Sequence, residues 1–183
     1  MKRATAILAL MLTFGLSACN SSHSNPASHP GSTTILIVRH AEKASDAEDS
    51  PLTETGILRA QALVRAAEDA GVSAIYSSQF RRSIDTARPL SDRIGVAITE
   101  VPVNLASPGD YGELLAKQII EKYRGQTIVV VGHSNTIASI IEGLARREAP
   151  VDNIEYSDMF IVTVQPSGGA GIIKTQYGLK YGG

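Results

Sequence analysis

The sequence predicts an α/β fold in three layers, in which a mainly parallel central sheet is covered by helices on both faces. From Thr34 onward, short runs rich in β-branched residues alternate with amphipathic stretches of helical spacing, and this alternation is typical of parallel sheets. The strand candidates are continuously apolar, as expected for strands that are buried on both sides. A length of 183 residues corresponds to one domain with a short appendage.

The predicted elements follow one another at short intervals along the chain. They are a strand at 34–38, a helix at 53–70, a strand at 72–76, a helix at 80–94, a strand at 96–101, a helix from Gly109 or Asp110 to Tyr123, a strand at 127–131, a helix at 133–145, and a terminal hairpin of strands 159–165 and 171–177.

The first two helices are predicted from the spacing of their apolar residues and from the glycine and proline residues that interrupt helices. In the helix at 53–70, Leu58, Ala62 and Leu63 are expected on the buried side, and Gly71 ends the helix. Pro89 lies inside the helix at 80–94, and we expect it to kink or restart that helix because proline lacks a backbone N–H.

The second half of the chain is read in the same way. Residues 127–131 are apolar and mostly β-branched, which indicates a buried strand, and the amphipathic stretch 133–145 follows directly. The turn Ser167-Gly168-Gly169-Ala170 separates two alternating runs, which predicts the terminal hairpin.

The composition excludes several classes of function. Lysine and arginine number 17 and aspartate and glutamate 18, a net charge of −1, so the basic excess typical of nucleic-acid-binding proteins is missing. Aromatic residues make up 5% of the chain, with no tryptophan, which disfavours a stacking platform for single strands or sugars. The single cysteine, Cys19, excludes an internal disulfide framework and a zinc cluster built from cysteines.

Residues 1–18 have the pattern of an export signal. Lys2 and Arg3 precede an apolar run at 4–14 that is too short to span a membrane comfortably. The sequence Leu-Ser-Ala-Cys, ending at Cys19, resembles the lipobox of bacterial lipoproteins, in which the cysteine is lipidated. This resemblance implies an exported protein, lipid-anchored on the periplasmic or cell-surface side of a bacterial membrane. An ordinary secretory signal that happens to end near a cysteine is the alternative.

The remaining sequence divides into a tether and one domain. Residues 19–33 contain the cysteine followed by a segment rich in serine, asparagine, proline and glycine without periodicity, which predicts a flexible tether. Residues 34–183 form the domain.

Polar side chains follow three of the predicted strands at the point where each strand ends. Arg39 and His40 come after the first strand, Arg82 lies shortly after the second, and His133 follows the fourth. The carboxyl ends of parallel strands meet at one rim, where α/β proteins bind ligands. The guanidinium group of arginine binds phosphoryl oxygens through paired hydrogen bonds, and a neutral imidazole can attack phosphorus. These two arginines and two histidines therefore predict a phosphate-binding site that contains a nucleophile.

Four segments resemble the histidine phosphatase superfamily, whose fold is that of phosphoglycerate mutase. They are the pair Arg39-His40, the helix entrance at 51–56, the segment 75–87 and the turn 131–134. The resemblance extends roughly from Thr34 to Ala145. It implies a phosphomonoesterase that works through a phosphohistidine intermediate and needs no cofactor.

The resemblance also implies a role for each matching residue. His40 would be the nucleophile, Arg39 and Arg82 would bind the phosphate, and His133 would be the second histidine of the pocket. The register selects Arg82 rather than Arg81, because Arg82 lies four residues after Ser78.

Ser134 is a further candidate for substrate binding, since it directly follows the second histidine of the pocket. The rim carries no cluster of aspartate, glutamate and cysteine with the spacing of metal ligands. We therefore expect a metal-independent reaction.

The chain departs from the family at the group that protonates the leaving oxygen. Residues 103–108 contain no carboxylate where one branch has a glutamate, and Ser134 stands where another branch has an aspartate. Asp110 is the candidate proton donor chosen here, with Glu42 and Glu113 as others. The missing acid also leaves open a non-catalytic lipoprotein of the same fold that binds a phosphorylated ligand.

Only ten residues lie between His40 and Pro51, so we expect residues 100–109 and 146–157 alone to overhang the rim. That predicts a shallow, open site. A phosphorylated small molecule or an envelope glycan fits the expected location outside the cytoplasm, and a phosphoprotein is the second choice.

Overall fold

The computed structural model describes residues 31–104 and 108–178. The predicted export signal, Cys19 and nearly all of the tether lie outside the described residues. The described elements are β1 (Thr33–Arg39), α1 (Glu54–Ala67), β2 (Val72–Ser77), α2 (Arg81–Ile94), β3 (Ile98–Glu100), α3 (Pro108–Lys122), β4 (Thr127–Gly132), α4 (Ile137–Ala145), β5 (Asp158–Val164) and β6 (Ala170–Gln176).

The six strands form one sheet in the order β3-β2-β4-β1-β5-β6. The pairings among β1, β2, β3 and β4 are parallel, whereas β5 is antiparallel to both β1 and β6. The predicted mainly parallel sheet and the terminal hairpin are therefore confirmed.

Side chains along β1 alternate between two hydrophobic cores. Ile35 and Ile37 face the core formed with α3 and α4, whereas Leu36 and Val38 face the core formed with α1 and α2. Successive strand residues point to opposite faces, so the sheet is covered by two helices on each side, as predicted. Among the residues described, no helix has the length and apolar character needed to cross a membrane.

Helix α1 differs from its prediction in length and in its buried face. Thr53 caps its start by accepting a hydrogen bond of 3.0 Å from the Gly56 N–H, and the helix ends at Ala67. The expected burial of Leu58 is wrong, since this side chain is 52% exposed. Leu58 lies on the opposite side of the helix from Ala60, which is buried.

Helix α2 runs unbroken from Arg81 to Ile94 with Pro89 inside it, so the predicted restart does not occur. Proline removes one backbone hydrogen bond. Buried residues on both sides of Pro89, among them Thr86 and Leu90, hold the helix against its neighbours and compensate for that loss.

Three further boundaries are corrected. Strand β3 is shorter than predicted, and α3 begins at Pro108, which places Asp110 in its first turn. Helix α4 begins at Ile137 rather than at His133. Thr136 causes this delay, because its hydroxyl accepts from the His133 N–H at 2.9 Å and donates to the His133 carbonyl at 3.2 Å, closing a turn before the helix.

Candidate active site

The carboxyl ends of β1, β2 and β4 bring the predicted arginines and histidines together at one rim of the sheet. Arg39 pairs with Gly132 across β1 and β4, and Ser77 pairs with Val131 across β2 and β4. The rings of His40 and His133 lie 5.1 Å apart between centroids. Only 5% of His40 and 3% of His133 is exposed, so the two histidines lie deeper than the predicted shallow site implies.

His40 is held in a single tautomer by its own neighbour. Its Nδ1 lies 2.8 Å from the carbonyl oxygen of Ala41. A carbonyl only accepts hydrogen bonds, so Nδ1 carries the proton and the lone pair lies on Nε2. The His40 backbone N–H also donates to the Gly132 carbonyl at 2.9 Å. Nε2 is therefore the nucleophilic atom of the ring.

The residues that follow His40 are fixed from two sides. The Ala41 N–H donates to the Thr86 hydroxyl at 2.9 Å. The carboxylate of Glu42 accepts three contacts of 2.7 to 3.0 Å from the guanidinium of Arg59. Gly56 allows this arrangement, since a Cβ there would collide with the Glu42 carbonyl oxygen.

His133 is oriented by Ser78 and Phe80. The buried Ser78 hydroxyl lies 2.8 Å from His133 Nε2, and the Phe80 ring meets the imidazole edge-on at 5.4 Å. When Ser78 donates to Nε2, the proton of the neutral ring lies on Nδ1. This tautomer can donate a hydrogen bond to a phosphoryl oxygen.

Each arginine is anchored by one terminal nitrogen and one aromatic ring. Arg39 donates to the Ile154 carbonyl at 3.0 Å and lies 3.9 Å from the ring centroid of Tyr156. Arg82 donates to the Glu48 carbonyl at 2.6 Å and lies 4.4 Å from the centroid of Phe80.

Further guanidinium donors remain available at this rim. The Nε atoms of Arg39 and Arg82 are buried and have no hydrogen-bond partner within the described part of the chain. Buried donors without a partner are rare in folded proteins. Two such donors, on the two predicted phosphate-binding residues, favour an anion as the missing partner.

The electrostatic environment keeps both histidines neutral. Burial, reinforced by the positive charges of Arg82 and Arg39, lowers the pKa of His40 to about 4. Burial, with the same arginines and His40, lowers the pKa of His133 to about 3. Both rings are uncharged at neutral pH, so the lone pair on His40 Nε2 is available for attack.

The structure leaves two of the other predicted positions at the surface. Arg81 is exposed and forms an ion pair with Asp85 at 3.3 Å, in agreement with the register that selects Arg82. Ser134 is exposed in the turn before α4. Its role in substrate binding stays a prediction.

None of the candidate proton donors named from the sequence contacts the four rim residues. Asp110 is exposed in the first turn of α3, and none of the hydrogen bonds and ion pairs described for residues 31–104 and 108–178 joins it to the rim. The carboxylate of Glu42 is bound to Arg59, and Glu113 lines a separate groove between α3 and α4. The assignment to Asp110 stays a prediction.

Tyr156 is a site residue that the sequence did not indicate. Its ring lies 5.9 Å from the His40 ring and is stacked on Arg39. It belongs to the loop between α4 and β5, outside all four matching segments, and a single tyrosine in a loop carries no recognisable pattern. Only the fold places it beside His40.

A cavity of about 460 Å³ opens beside Arg82, and we call it the lateral cavity. It is lined by Lys43, Asp46, Ala47, Glu48, Gln79, Phe80, Arg82, Val103 and Asn104. The expectation that only residues 100–109 and 146–157 border the site is therefore wrong. The segment after His40 is short, but its hydrogen bonds to α2 fold it over the rim.

Within residues 31–104 and 108–178, no group of three or more histidine, cysteine, aspartate or glutamate side chains is placed to hold a metal ion.

Comparison with known proteins gives one family match and many structural matches. Residues 35–103 match the family model described as the histidine phosphatase superfamily (branch 1). This match includes Arg39, His40 and Arg82 but ends before His133. No curated protein matches the sequence.

Several solved structures share the fold. A structure of the protein histidine phosphatase SixA complexed with tungstate has a TM-score of 0.59 and 17% identity, over 78% of this chain and 96% of that one. A mycobacterial glucosyl-3-phosphoglycerate phosphatase has a TM-score of 0.63 and 15% identity, over 77% and 97%. A phosphoserine phosphatase from Entamoeba histolytica has a TM-score of 0.58 and 17% identity, over 81% and 98%. These structures share the fold of this chain, and the family match covers residues 35–103.

Proposed function

We propose that this chain hydrolyses phosphate monoesters through a phosphohistidine at His40. The family match over residues 35–103 and the shared fold support this proposal. The observation that carries the proposal is the hydrogen bond of 2.8 Å from His40 Nδ1 to the Ala41 carbonyl. It leaves the lone pair on Nε2, next to two arginines with unpaired buried donors. The three structural neighbours described above are phosphatases, which supports the same reaction class.

In the first step, His40 Nε2 attacks the phosphorus of the bound ester. A P–N bond forms while the bond between phosphorus and the leaving oxygen breaks, and that oxygen takes up a proton and departs as the alcohol. Arg39, Arg82 and His133 surround the position of the phosphoryl oxygens and stabilise their negative charge.

In the second step, water attacks the phosphohistidine. The P–N bond breaks, the water gives up a proton, and inorganic phosphate leaves with the new oxygen. The electron pair of the P–N bond returns to Nε2, so His40 is again neutral, as its lowered pKa of about 4 requires near neutral pH.

The reaction is proposed to proceed without a metal ion. Divalent metals commonly neutralise phosphate charge in phosphoryl transfer, and here the guanidinium groups of Arg39 and Arg82 supply positive charge at the rim. Activity should therefore persist in the presence of EDTA.

A test with the full chain measures phosphate release from p-nitrophenyl phosphate and from a panel of alkyl phosphates. We expect His40→Ala to abolish turnover and vanadate, which mimics five-coordinate phosphorus, to inhibit the wild type. Arg81→Ala is the matched control, because this exposed arginine neighbours Arg82 but lies outside the pocket, and it should retain activity. Full activity of His40→Ala, or complete inhibition by EDTA, would show the proposal to be wrong.

The proposed location rests on the sequence alone. Lipidation at Cys19 after export would tether the domain to a bacterial membrane, where a phosphorylated small molecule or an envelope glycan would be the substrate. Cys19→Ser should release the mature protein from detergent extracts into the aqueous phase. A mature N-terminus at another residue would exclude lipidation at Cys19.

A further inference from the structure

We propose that the lateral cavity holds the leaving group of the substrate and that the Glu48 carboxyl group protonates the leaving oxygen. This inference rests on the proposed phosphatase reaction and goes beyond it in naming a catalytic acid and a leaving-group subsite. Neither was indicated by the sequence, which offered Asp110, Glu42 and Glu113.

The lateral cavity lies directly beside the position proposed for the phosphoryl group. Arg82 belongs to both, since it lines the cavity and presents a buried, unpaired Nε at the rim. An ester whose phosphoryl group is bound by Arg82 therefore has open space of about 460 Å³ directly beside it. That space accommodates an alcohol of the size of a monosaccharide.

The backbone of Glu48 is fixed next to this space. Its carbonyl accepts a hydrogen bond of 2.6 Å from Arg82 Nη1, which ties the residue directly to the phosphate-binding side chain. Asp49 secures the next position, because its carboxylate accepts from the backbone N–H of Arg81 at 3.2 Å. The loop that carries Glu48 is thus held at two successive residues by the start of α2.

Of the carboxylates of Asp46, Glu48 and Asp49 in this loop, that of Glu48 is the one available to a ligand. Asp46 is bound to Lys43 at 2.7 Å, and Asp49 caps α2 as described above. In contrast, no hydrogen bond or ion pair among the described residues engages the Glu48 carboxylate, although its charge acts on Arg82. Glu48 is exposed beside the lateral cavity, so its carboxylate is free to interact with a ligand there.

The chemistry requires an acid at this place when the leaving group is an alcohol. As His40 Nε2 attacks phosphorus and the ester bond breaks, the protonated carboxyl group of Glu48 transfers its proton to the leaving oxygen and becomes a carboxylate. In the second step the carboxylate takes the proton from the attacking water, which restores Glu48.

The lining of the cavity indicates a polar leaving group. Lys43 and Glu48 offer a donor and an acceptor, and Phe80 provides one apolar wall. The wall near Val103 is rigid, because the Gln79 side chain binds both the backbone N–H and the carbonyl of Val103 at 2.9 and 3.1 Å. The substrate class is therefore an alkyl phosphate of a small hydroxylated alcohol.

The test compares one alkyl and one aryl ester on the full chain, glycerol 2-phosphate and p-nitrophenyl phosphate. Aryl leaving groups need little protonation, so Glu48→Gln should lower kcat/KM for glycerol 2-phosphate by about 100-fold or more and change it by less than about 3-fold for p-nitrophenyl phosphate. Asp69→Asn is the matched control, since Asp69 is an exposed carboxylate after α1 that does not line the lateral cavity. The kcat/KM of this control should stay within about 3-fold of the wild-type value on both esters.

Three results would overturn the proposal: equal losses on both esters in Glu48→Gln, no loss on either ester, or a selective loss on glycerol 2-phosphate in Asp110→Asn instead. Thermal unfolding of each variant by circular dichroism separates a folding defect from a catalytic one. If the wild type forms no phosphohistidine, the phosphatase reaction itself is refuted. If the wild type forms it and Glu48→Gln behaves like the wild type, only the role of Glu48 fails.

Discussion

The Thr86 hydroxyl accepts a hydrogen bond of 2.9 Å from the backbone N–H of Ala41, the residue that follows His40. The same hydroxyl donates to the Arg82 carbonyl at 2.7 Å, and Thr86 is completely buried. One side chain therefore links the β1 rim that carries His40 to the helix that carries Arg82. This link sets the distance between His40 and Arg82.

Replacing Thr86 with valine should weaken both folding and catalysis. Valine has a similar shape but leaves the Ala41 N–H without a partner in a buried position, which costs about 1–3 kcal/mol of unfolding free energy. Urea unfolding measures this loss, and kcat with p-nitrophenyl phosphate should fall as well. Thr86→Ser keeps the hydroxyl and is the control. Wild-type stability and kcat in Thr86→Val would contradict the role given to this hydroxyl.

Ser78 should matter through His133 rather than through direct contact with substrate. Ser78→Ala removes the hydrogen bond of 2.8 Å to His133 Nε2, so the ring no longer favours the tautomer that donates from Nδ1. A net hydrogen bond of about 1 kcal/mol corresponds to a loss of roughly 5-fold in kcat/KM. Steady-state kinetics tests this, and His133→Ala provides the upper limit. A larger loss in Ser78→Ala than in His133→Ala would exclude an action through His133.

The elements that the sequence predicts well are those with strong local patterns. Strand β1 is continuously apolar, and the glycine-rich turn before β6 marks the hairpin, so both appear within one residue of their expected ends. The start of α4 was missed because it depends on one hydroxyl, that of Thr136, which closes a turn around His133. Apolar periodicity does not distinguish such a turn from the first turn of a helix.

The two buried histidines should make folding sensitive to acid. Their folded pKa values of about 4 and about 3 lie below the ordinary value of 6.5, so between these limits the unfolded chain binds more protons than the folded one. Stability is therefore complete above about pH 6.5 and decreases as the pH falls toward the folded pKa values. At pH 4.5 the lowered pKa of each histidine should reduce the free energy of unfolding by about 2–3 kcal/mol relative to neutral pH.

Urea unfolding of the wild type and of His133→Gln at pH 7.5 and pH 4.5 measures this effect. Carboxylates elsewhere titrate in both proteins, so the difference between the two acid losses isolates His133. We expect the smaller loss in His133→Gln. Equal losses would mean that His133 titrates normally in the folded protein.

Tyr156 should act through the ring that supports Arg39. Tyr156→Phe keeps the ring under the guanidinium, 3.9 Å away in the wild type, and should change vanadate inhibition little. Tyr156→Ala removes a cation–π contact worth about 0.5–2 kcal/mol, which should weaken vanadate binding by about 2- to 30-fold. An equal effect in both variants would instead assign the contribution to the hydroxyl group.

The composition of the site was partly predictable. Arg39, His40, Arg82 and His133 directly follow the strand ends or begin the next helix, so topology alone brings them together. Tyr156 and Glu48 belong to loops positioned by contacts between distant parts of the chain, among them the hydrogen bonds from Arg39 to Ile154 and from Arg82 to Glu48. Such contacts join residues that are distant in sequence, so no local sequence pattern predicts them.

The phosphorylated intermediate is the most direct test of the account. The wild type is mixed with ³²P-labelled p-nitrophenyl phosphate, quenched in alkali within milliseconds, and digested for mass spectrometry. Label on Nε2 of His40, formed and lost at rates that match turnover, is the predicted result, with none in His40→Ala. Label on Nδ1, label on another residue, or turnover without any labelled protein would contradict it.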